Sequence, residues 1–113
     1  MHEMSIAASI VELVEEHAAR DGFRRARTVR LAIGALSHVE PRSLEFGWDV
    51  VTRGTVAEGA RLAIERPAGM GYCTDCSKNV PIAALGDSCP ECQGNKWMLV
   101  EGDELRVIDL EVD

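Results

Sequence analysis

Two Cys-x-x-Cys pairs constrain this chain more than any other feature of its sequence. The pairs are separated by twelve residues and supply four thiols: Cys73, Cys76, Cys89 and Cys92. Two such pairs can each present two thiolates to one tetrahedral ion. Zn²⁺ suits four thiolates, and its binding adds folding energy to a polar segment of about thirty residues that cannot bury a core of its own. The sequence therefore predicts a zinc site in a small module.

The residues alone leave three roles open for this site. Saturation by four cysteines leaves no open position for catalysis, which favours a structural role. A metal-sensing or metal-storing role is the second. Iron in a rubredoxin-like electron carrier is the third, because tetrahedral sulfur sites also take iron.

Length and charge limit the other classes of function. A chain of 113 residues suits one compact domain with a small satellite. Nineteen acidic residues against twelve basic ones give a net charge of -7, which repels nucleic acid and anionic membranes. Neither a membrane-spanning run nor a secretory signal is evident, so we expect a cytoplasmic protein whose cysteines stay reduced.

Hydrophobic periodicity predicts two helices and three strands. The period changes between 3.6 and 2 along the chain. The predicted helices run from Met4 to about Arg20 and from Pro41 to Gly54, and the predicted strands cover Ala26–Gly34, Arg61–Arg66 and Arg106–Val112.

These elements predict an α+β fold in which a small three-stranded sheet is covered by two helices, with the zinc-ribbon module inserted. The predicted domains are a discontinuous α+β domain, residues 1–68 and 99–113, and a zinc-ribbon domain, residues 69–98. No phosphate loop and no nucleophile–base arrangement is evident, so we do not expect an enzyme.

The amino-terminal residues Met1-His2-Glu3 form a second candidate metal site. A free amino group, the His2 amide nitrogen and a His2 imidazole nitrogen can close adjacent chelate rings, and the Glu3 amide nitrogen can complete a square plane. Square-planar nitrogen coordination favours Ni(II) or Cu(II). Protons compete at the amine and imidazole, so acid should release the metal. An incidental histidine in a disordered terminus stays open as the alternative.

Three other polar residues are weaker candidates. His17 lies at helical spacing from Leu13, which favours a packed or half-exposed helix position. His38 and Glu40 follow the first predicted strand, where ligands and ordinary surface residues both gather.

Several of these features occur together in one known family. Met1-His2-Glu3 opens an amphipathic helix, Ile33-Gly34 ends a strand, and Pro41, Leu44 and Phe46 lie on the second helix. The four cysteines and the closing Gly102-Asp103-Glu104-Leu105-Arg106-Val107 complete the set. Over essentially its whole length, the sequence resembles the HypA/HybF family of hydrogenase nickel-incorporation proteins.

The resemblance implies a nickel metallochaperone with a transferable Ni(II) and a structural Zn(II). The implied partners are a HypB-type GTPase and the large-subunit precursor of [NiFe]-hydrogenase, with a homodimer left open and no nucleic acid or membrane. Met1, His2 and Glu3 match the family's nickel ligands. Glu40 matches an aspartate position, with His38 as a comparable candidate, and the four cysteines match the zinc ligands.

Some members of the family flank the cysteine pairs with histidines that can enter the zinc site. Ser77 and Gln93 follow the pairs here, so we do not expect a histidine-swapping pH switch. The alternative function is a zinc-ribbon interaction module for protein or nucleic acid with no transferable metal. Lys78 and Lys96 could support it, but the acidic residues between them prevent a basic stripe.

Overall fold

The computed structural model describes residues 2–113, which form two helices and six strands. The helices are α1 (His2–Asp21) and α2 (Pro41–Thr52). The strands are β1 (Ala26–Ile33), β2 (Arg61–Glu65), β3 (Gly69–Cys73), β4 (Lys78–Ile82), β5 (Trp97–Glu101) and β6 (Leu105–Val112). Two three-stranded sheets result, in the orders β2–β1–β6 and β4–β3–β5. The predicted α+β class, with two helices, a three-stranded sheet and an inserted cysteine module, is confirmed.

Helix α1 buries a narrower stripe than its sequence suggests. The buried positions recur at helical spacing and are all aliphatic: Ala7, Ile10, Val11, Val14 and Ala18. Leu13 continues the apolar pattern of this helix in the sequence, but its exposed fraction is 37%. The helix ends where Gly22 takes a φ of 80° and its N–H donates to the Ala18 carbonyl at 2.9 Å.

Helix α2 begins with Glu40 as N-cap and Pro41 in its first turn, and it packs against α1. Trp48 is buried on this helix, and its indole N–H donates to the Ala60 carbonyl at 3.0 Å. Because a buried indole N–H without a partner would be costly, this bond also fixes the chain that follows the helix.

The sheet β2–β1–β6 is the one that the alternating pattern predicted. Val29, Leu31 and Ile33 of β1 are fully buried. On the other face, Arg30 donates to Asp109 at 2.8 Å and Thr28 donates to Glu111 at 3.1 Å. Residue numbers increase along β1 while those of the paired residues decrease along β6, so these two strands run antiparallel.

The sheet β4–β3–β5 was not predicted from the sequence. β3 pairs antiparallel with both neighbours, and Cys73 at its end lies opposite Lys78 on one side and Trp97 on the other. Gly71 lies at the centre of β3 because a Cβ there would come 2.6 Å from a ring carbon of Trp97. Glycines and a proline in strand positions conceal the period of two on which the prediction relied.

The chain divides into two compact units. The first contains the described residues up to Leu31, together with Val39–Ile64 and Val107–Asp113. The second contains Ala32–His38 and Glu65–Arg106. The domain boundaries predicted from the sequence, with residues 69–98 as the zinc-ribbon domain, stay a prediction. Among the described residues, no helix is long and apolar enough to span a membrane.

Gly34, which follows β1, lies against the backbone of Gly102. A Cβ at position 34 would lie 2.0 Å from the Gly102 carbonyl oxygen and 2.5 Å from a carboxylate oxygen of Glu104. The Gly34 N–H donates to the Glu104 carbonyl at 2.9 Å, and the Leu36 N–H donates to the Gly102 carbonyl at 2.7 Å. Since backbone atoms cannot give way as a side chain can, position 34 has room only for glycine.

Gly34→Ala should therefore destabilise the protein by about 1–3 kcal/mol or more, the usual cost of overpacking. The free energy of unfolding in urea measures this change. Gly22→Ala is the control, since a Cβ there meets nothing within 4 Å and only its positive φ is strained. A loss at position 34 no larger than the loss at position 22 would contradict the steric explanation.

Candidate metal centres

The four cysteines converge on one point in the second unit. Cys73 ends β3, Cys76 lies in the turn before β4, and Cys89 and Cys92 lie in the turns before β5. Their sulfur atoms all lie within 4.8 Å of one another. Among residues 2–113, they form the one group of three or more His, Cys, Asp or Glu side chains close enough to share an ion.

The sulfur–sulfur distances fit a zinc tetrahedron. The Sγ atoms of Cys73 and Cys92 lie 3.7 Å apart, and those of Cys76 and Cys89 lie 3.9 Å apart. With a zinc–sulfur bond of about 2.3 Å, the edge of a regular sulfur tetrahedron is about 3.8 Å. The donor set and these two separations therefore suit Zn²⁺.

The two cysteine turns share a residue in the left-handed backbone conformation. Ser77 and Gln93, each directly after the second cysteine of a pair, adopt left-handed φ values of 55° and 58°. Gln93 also donates its N–H to the Cys89 carbonyl at 2.8 Å, and the Gly94 N–H points to the Cys92 sulfur at 3.4 Å. The Gly94 N–H favours the ionised form of the Cys92 sulfur, but the hydrogen bond with the Cys73 thiol and burial together outweigh it and raise the pKa of Cys92.

The pKa values of the cysteine thiols differ because each thiol has different hydrogen-bond partners. The backbone N–H of Cys92 is the main cause that lowers the pKa of Cys89 to about 7. A hydrogen bond with the Cys92 side chain is the main cause that raises the pKa of Cys76 to about 12. Neighbouring thiols cannot all ionise unless a cation shares their charge, which is the condition that a bound divalent metal meets.

The cysteines also supply part of the core of their unit. The buried cluster consists of five residues: Leu36, Cys73, Val80, Ile82 and Cys89. Cys76 and Trp97 pack against this cluster, and the Trp97 indole N–H donates to the Asp87 carbonyl at 2.7 Å. Two metal-ligand candidates are thus among the five buried residues, so metal binding and packing involve the same atoms.

The amino-terminal candidate site lies at the start of α1. Met1 lies outside the described residues. His2 is the first residue of the helix, its side chain is 61% exposed, and its Nδ1 lies 3.5 Å from Glu3 Oε2. The imidazole is therefore accessible to a metal ion from solution.

Glu3 turns its carboxylate toward the start of α2. Its side chain is only 15% exposed, and Oε2 accepts a hydrogen bond from the backbone N–H of Glu40 at 3.3 Å. That N–H is the main cause that lowers the pKa of Glu3. No local sequence pattern predicts this contact, because it joins residues 37 positions apart.

The remaining candidates have other neighbours. The Glu40 carboxylate caps α2 by accepting from the Arg42 N–H at 3.1 Å, while its backbone N–H contacts Glu3. His38 is an exposed residue of the second unit. His17 interacts with Arg20 and Asp21 on its own helix, as expected for a surface helix residue. Whether Met1, His2, Glu3, Glu40 or His38 binds nickel stays a prediction.

Comparison with known proteins gives matches over the full chain. The family model described as "Hydrogenase/urease nickel incorporation, metallochaperone, hypA" matches residues 1–112. Two relatives described as "Hydrogenase maturation factor HypA", from Methylocella silvestris and Azotobacter chroococcum mcd 1, are 47% and 49% identical over 113 residues, which is 100% of each chain. The solution structure of the Ni metallochaperone HypA from Helicobacter pylori gives a TM-score of 0.67 at 26% identity and covers 97% of this chain and 96% of that chain.

Removing the metal should unfold the sheet β4–β3–β5. Structural zinc sites contribute about 10–16 kcal/mol of binding free energy, and two of the candidate ligands here are also part of the five-residue buried cluster. We expect chelation, or Cys89→Ser, to abolish the hydrogen-exchange protection of β3 amides together with the metal content.

Lys78→Met is the control for this experiment. It removes an exposed ion pair with Glu91, of 2.7 Å, which is worth about 0–1 kcal/mol. This variant should keep its metal and its exchange protection. Full protection of β3 in metal-free protein would mean that packing alone holds the sheet.

Proposed function

Because this chain belongs to the HypA family of hydrogenase and urease nickel-incorporation metallochaperones, we propose that it binds Ni(II) at its amino terminus and delivers it to the large subunit of [NiFe]-hydrogenase. The observation that carries this proposal is that the His2 side chain, in the first turn of α1, is 61% exposed and accessible to a metal ion. The first four N–H groups of a helix have no carbonyl partner within it. The proposed amide ligands belong to this first turn, whose N–H groups lie outside the regular helical hydrogen-bond pattern.

The proposed ligands are the amino group of Met1, the amide nitrogen and imidazole of His2, and the amide nitrogen of Glu3. Four nitrogens in a plane suit Ni(II). Two successive amide nitrogens bind one ion only when both lie on the same side of the intervening Cα–C bond. Helical backbone, with ψ of about −42°, already turns them to the same side, whereas strand backbone with ψ of about +135° separates them.

In this proposal the Glu40 and His38 side chains are secondary candidates. The capping bond between the Glu40 carboxylate and the Arg42 N–H would have to break before that carboxylate turned toward a metal. His38 has an exposed side chain. We therefore assign nickel binding chiefly to the terminal amine, the two amides and His2.

The cysteine site has the structural role in this proposal. A tetrahedral ion with four thiolates has no open position for a fifth ligand or for substrate. Zn(II) bound there would hold the cysteine unit folded while Ni(II) enters and leaves elsewhere. The chain would therefore bind two metals, Zn(II) that stays bound at the cysteines and Ni(II) that is released from the amino terminus.

Delivery requires that nickel binds in one state and leaves in another. We propose that contact with a HypB-type GTPase or with the hydrogenase large-subunit precursor changes the geometry around His2. A partner can shift such an equilibrium only by its differential affinity for the two states. Ligand exchange to the acceptor then completes the transfer without catalysis by this chain.

Nickel uptake by untagged protein tests the binding step. We expect about one nickel per chain besides the cysteine-bound metal, in line with one square-planar site. His2→Ala removes the imidazole, and one additional residue before Met1 moves the amino group out of the chelate. Both variants should bind nickel at least about tenfold more weakly, a change of about 1.4 kcal/mol, when titrated calorimetrically.

His17→Ala serves as the matched control, since it removes another histidine of the same helix. This variant should bind nickel as the unmodified protein does, and all variants should keep their zinc. Unchanged nickel binding in both His2→Ala and the extended protein would overturn the proposal.

Transfer is tested with the acceptor. Nickel-loaded protein should load the hydrogenase large-subunit precursor in the presence of the GTPase, as measured by the nickel content of the isolated precursor. His2→Ala should fail in this assay, whereas His17→Ala should succeed. Equal nickel loading of the precursor by both variants would mean that delivery does not depend on the amino-terminal site.

A further inference from the structure

Gly47 is buried in the middle of α2, where glycine is an unfavourable residue. Glycine loses more backbone freedom than alanine does when a helix forms. A buried glycine at such a position therefore indicates that another group occupies the space of its missing side chain.

The occupying group is the side chain of Met4. A Cβ at position 47 would lie 2.2 Å from Met4 Sδ and 3.2 Å from Met4 Cε. The third-nearest heavy atom, Met4 Cγ at 3.9 Å, belongs to the same side chain. The thioether of Met4, one residue after Glu3, is thus seated in a notch that Gly47 leaves in the surface of α2.

A second contact joins the same turn of α1 to the same helix. The Glu3 carboxylate accepts from the backbone N–H of Glu40 at 3.3 Å, at the N-cap of α2. Glu40 and Gly47 are seven residues apart, which is roughly 10 Å along a helix axis. Glu3 and Met4 are consecutive, so one turn of α1 is held at two separated points of α2.

We infer that these two contacts are the positioning device of the amino-terminal nickel site. Helix ends fray, and a frayed turn lets the backbone torsion at His2 vary. The contacts at Glu40 and Gly47 hold the turn helical, with the nitrogens of His2 and Glu3 already on the same side. Gly47 and Met4 are positioning residues that do not touch the metal, and the Glu3 carboxylate is an anchor. This inference rests on the proposed function.

Gly47→Ala isolates the effect on position because the variant should fold well. The group that must move is the far end of a flexible methionine, and alanine favours the helix of α2. The Met4 side chain then leaves its notch while α2 stays intact. The mutation therefore alters the first turn of α1 without removing a proposed ligand.

We expect Gly47→Ala to weaken nickel binding by about tenfold, the lower end of the 10–100-fold effect of groups that orient metal ligands. Its zinc content and urea midpoint should stay at or above those of the unmodified protein. Before nickel is added, the amides of the first turns of α1 should exchange faster. The visible circular dichroism of the nickel complex should change as well, which a purely structural role would not cause.

Two variants complete the test. Val50→Ala, an exposed position of the same helix, should match the unmodified protein in every readout. Met4→Ala should weaken nickel binding, and Gly47→Ala should have no additional effect in that background, because the two residues act through one contact.

The outcomes separate this inference from the proposed function. If the unmodified protein takes no nickel, or binds it independently of His2, the proposed function fails and this inference fails with it. If the unmodified protein binds nickel through His2 and Gly47→Ala binds it equally well, only the positioning role is overturned. Additive effects of Met4→Ala and Gly47→Ala would overturn it as well.

Discussion

Four sulfur atoms within 4.8 Å of one another are the constraint on which the second unit depends. Its buried cluster has only five residues, and two of them are cysteines of that group. Such a cluster is small for a unit of this size, and a metal bound by the four thiolates would add its binding free energy to folding. The sheet β4–β3–β5 is therefore a consequence of coordination as much as of strand pairing.

The amino-terminal site follows a different principle. Its proposed ligands are mainly backbone nitrogens, so a side-chain pattern reveals only His2. Such a site competes with protons, since the amine, the imidazole and the amides must all lose a proton to bind metal. Cu(II) would bind the same nitrogens more tightly than Ni(II) does. Selectivity in this proposal comes from metal supply and from the partner proteins.

Hydrophobic periodicity predicted the helices and strands whose apolar residues follow a regular local pattern. Both helices, β1, β2 and β6 were expected within a few residues of their bounds, because the apolar residues of each recur at a regular period in the sequence. β3 and β4 were missed, since Gly69, Gly71 and Pro81 conceal the alternation, and β5 was missed because its apolar run does not alternate. The cysteine spacing predicted the metal centre.

The contacts of Glu3 with Glu40 and of Met4 with Gly47 could not be predicted, because they depend on how α1 packs on α2. Gly47, a glycine within a predicted helix, was the one feature of the sequence that pointed to a close contact there.

The contact of Gly102 with Gly69 bears on how this architecture can change through evolution. A Cβ at Gly102 would lie 2.5 Å from the Gly69 Cα and 2.9 Å from the Ala68 carbonyl oxygen. The stretch that carries all four cysteines thus leaves and re-enters the rest of the chain at a single point. A segment whose ends meet behaves as a cassette, because its length and composition can vary without separating the residues that flank it. The two junction positions, unlike the interior of the cassette, have little freedom to vary.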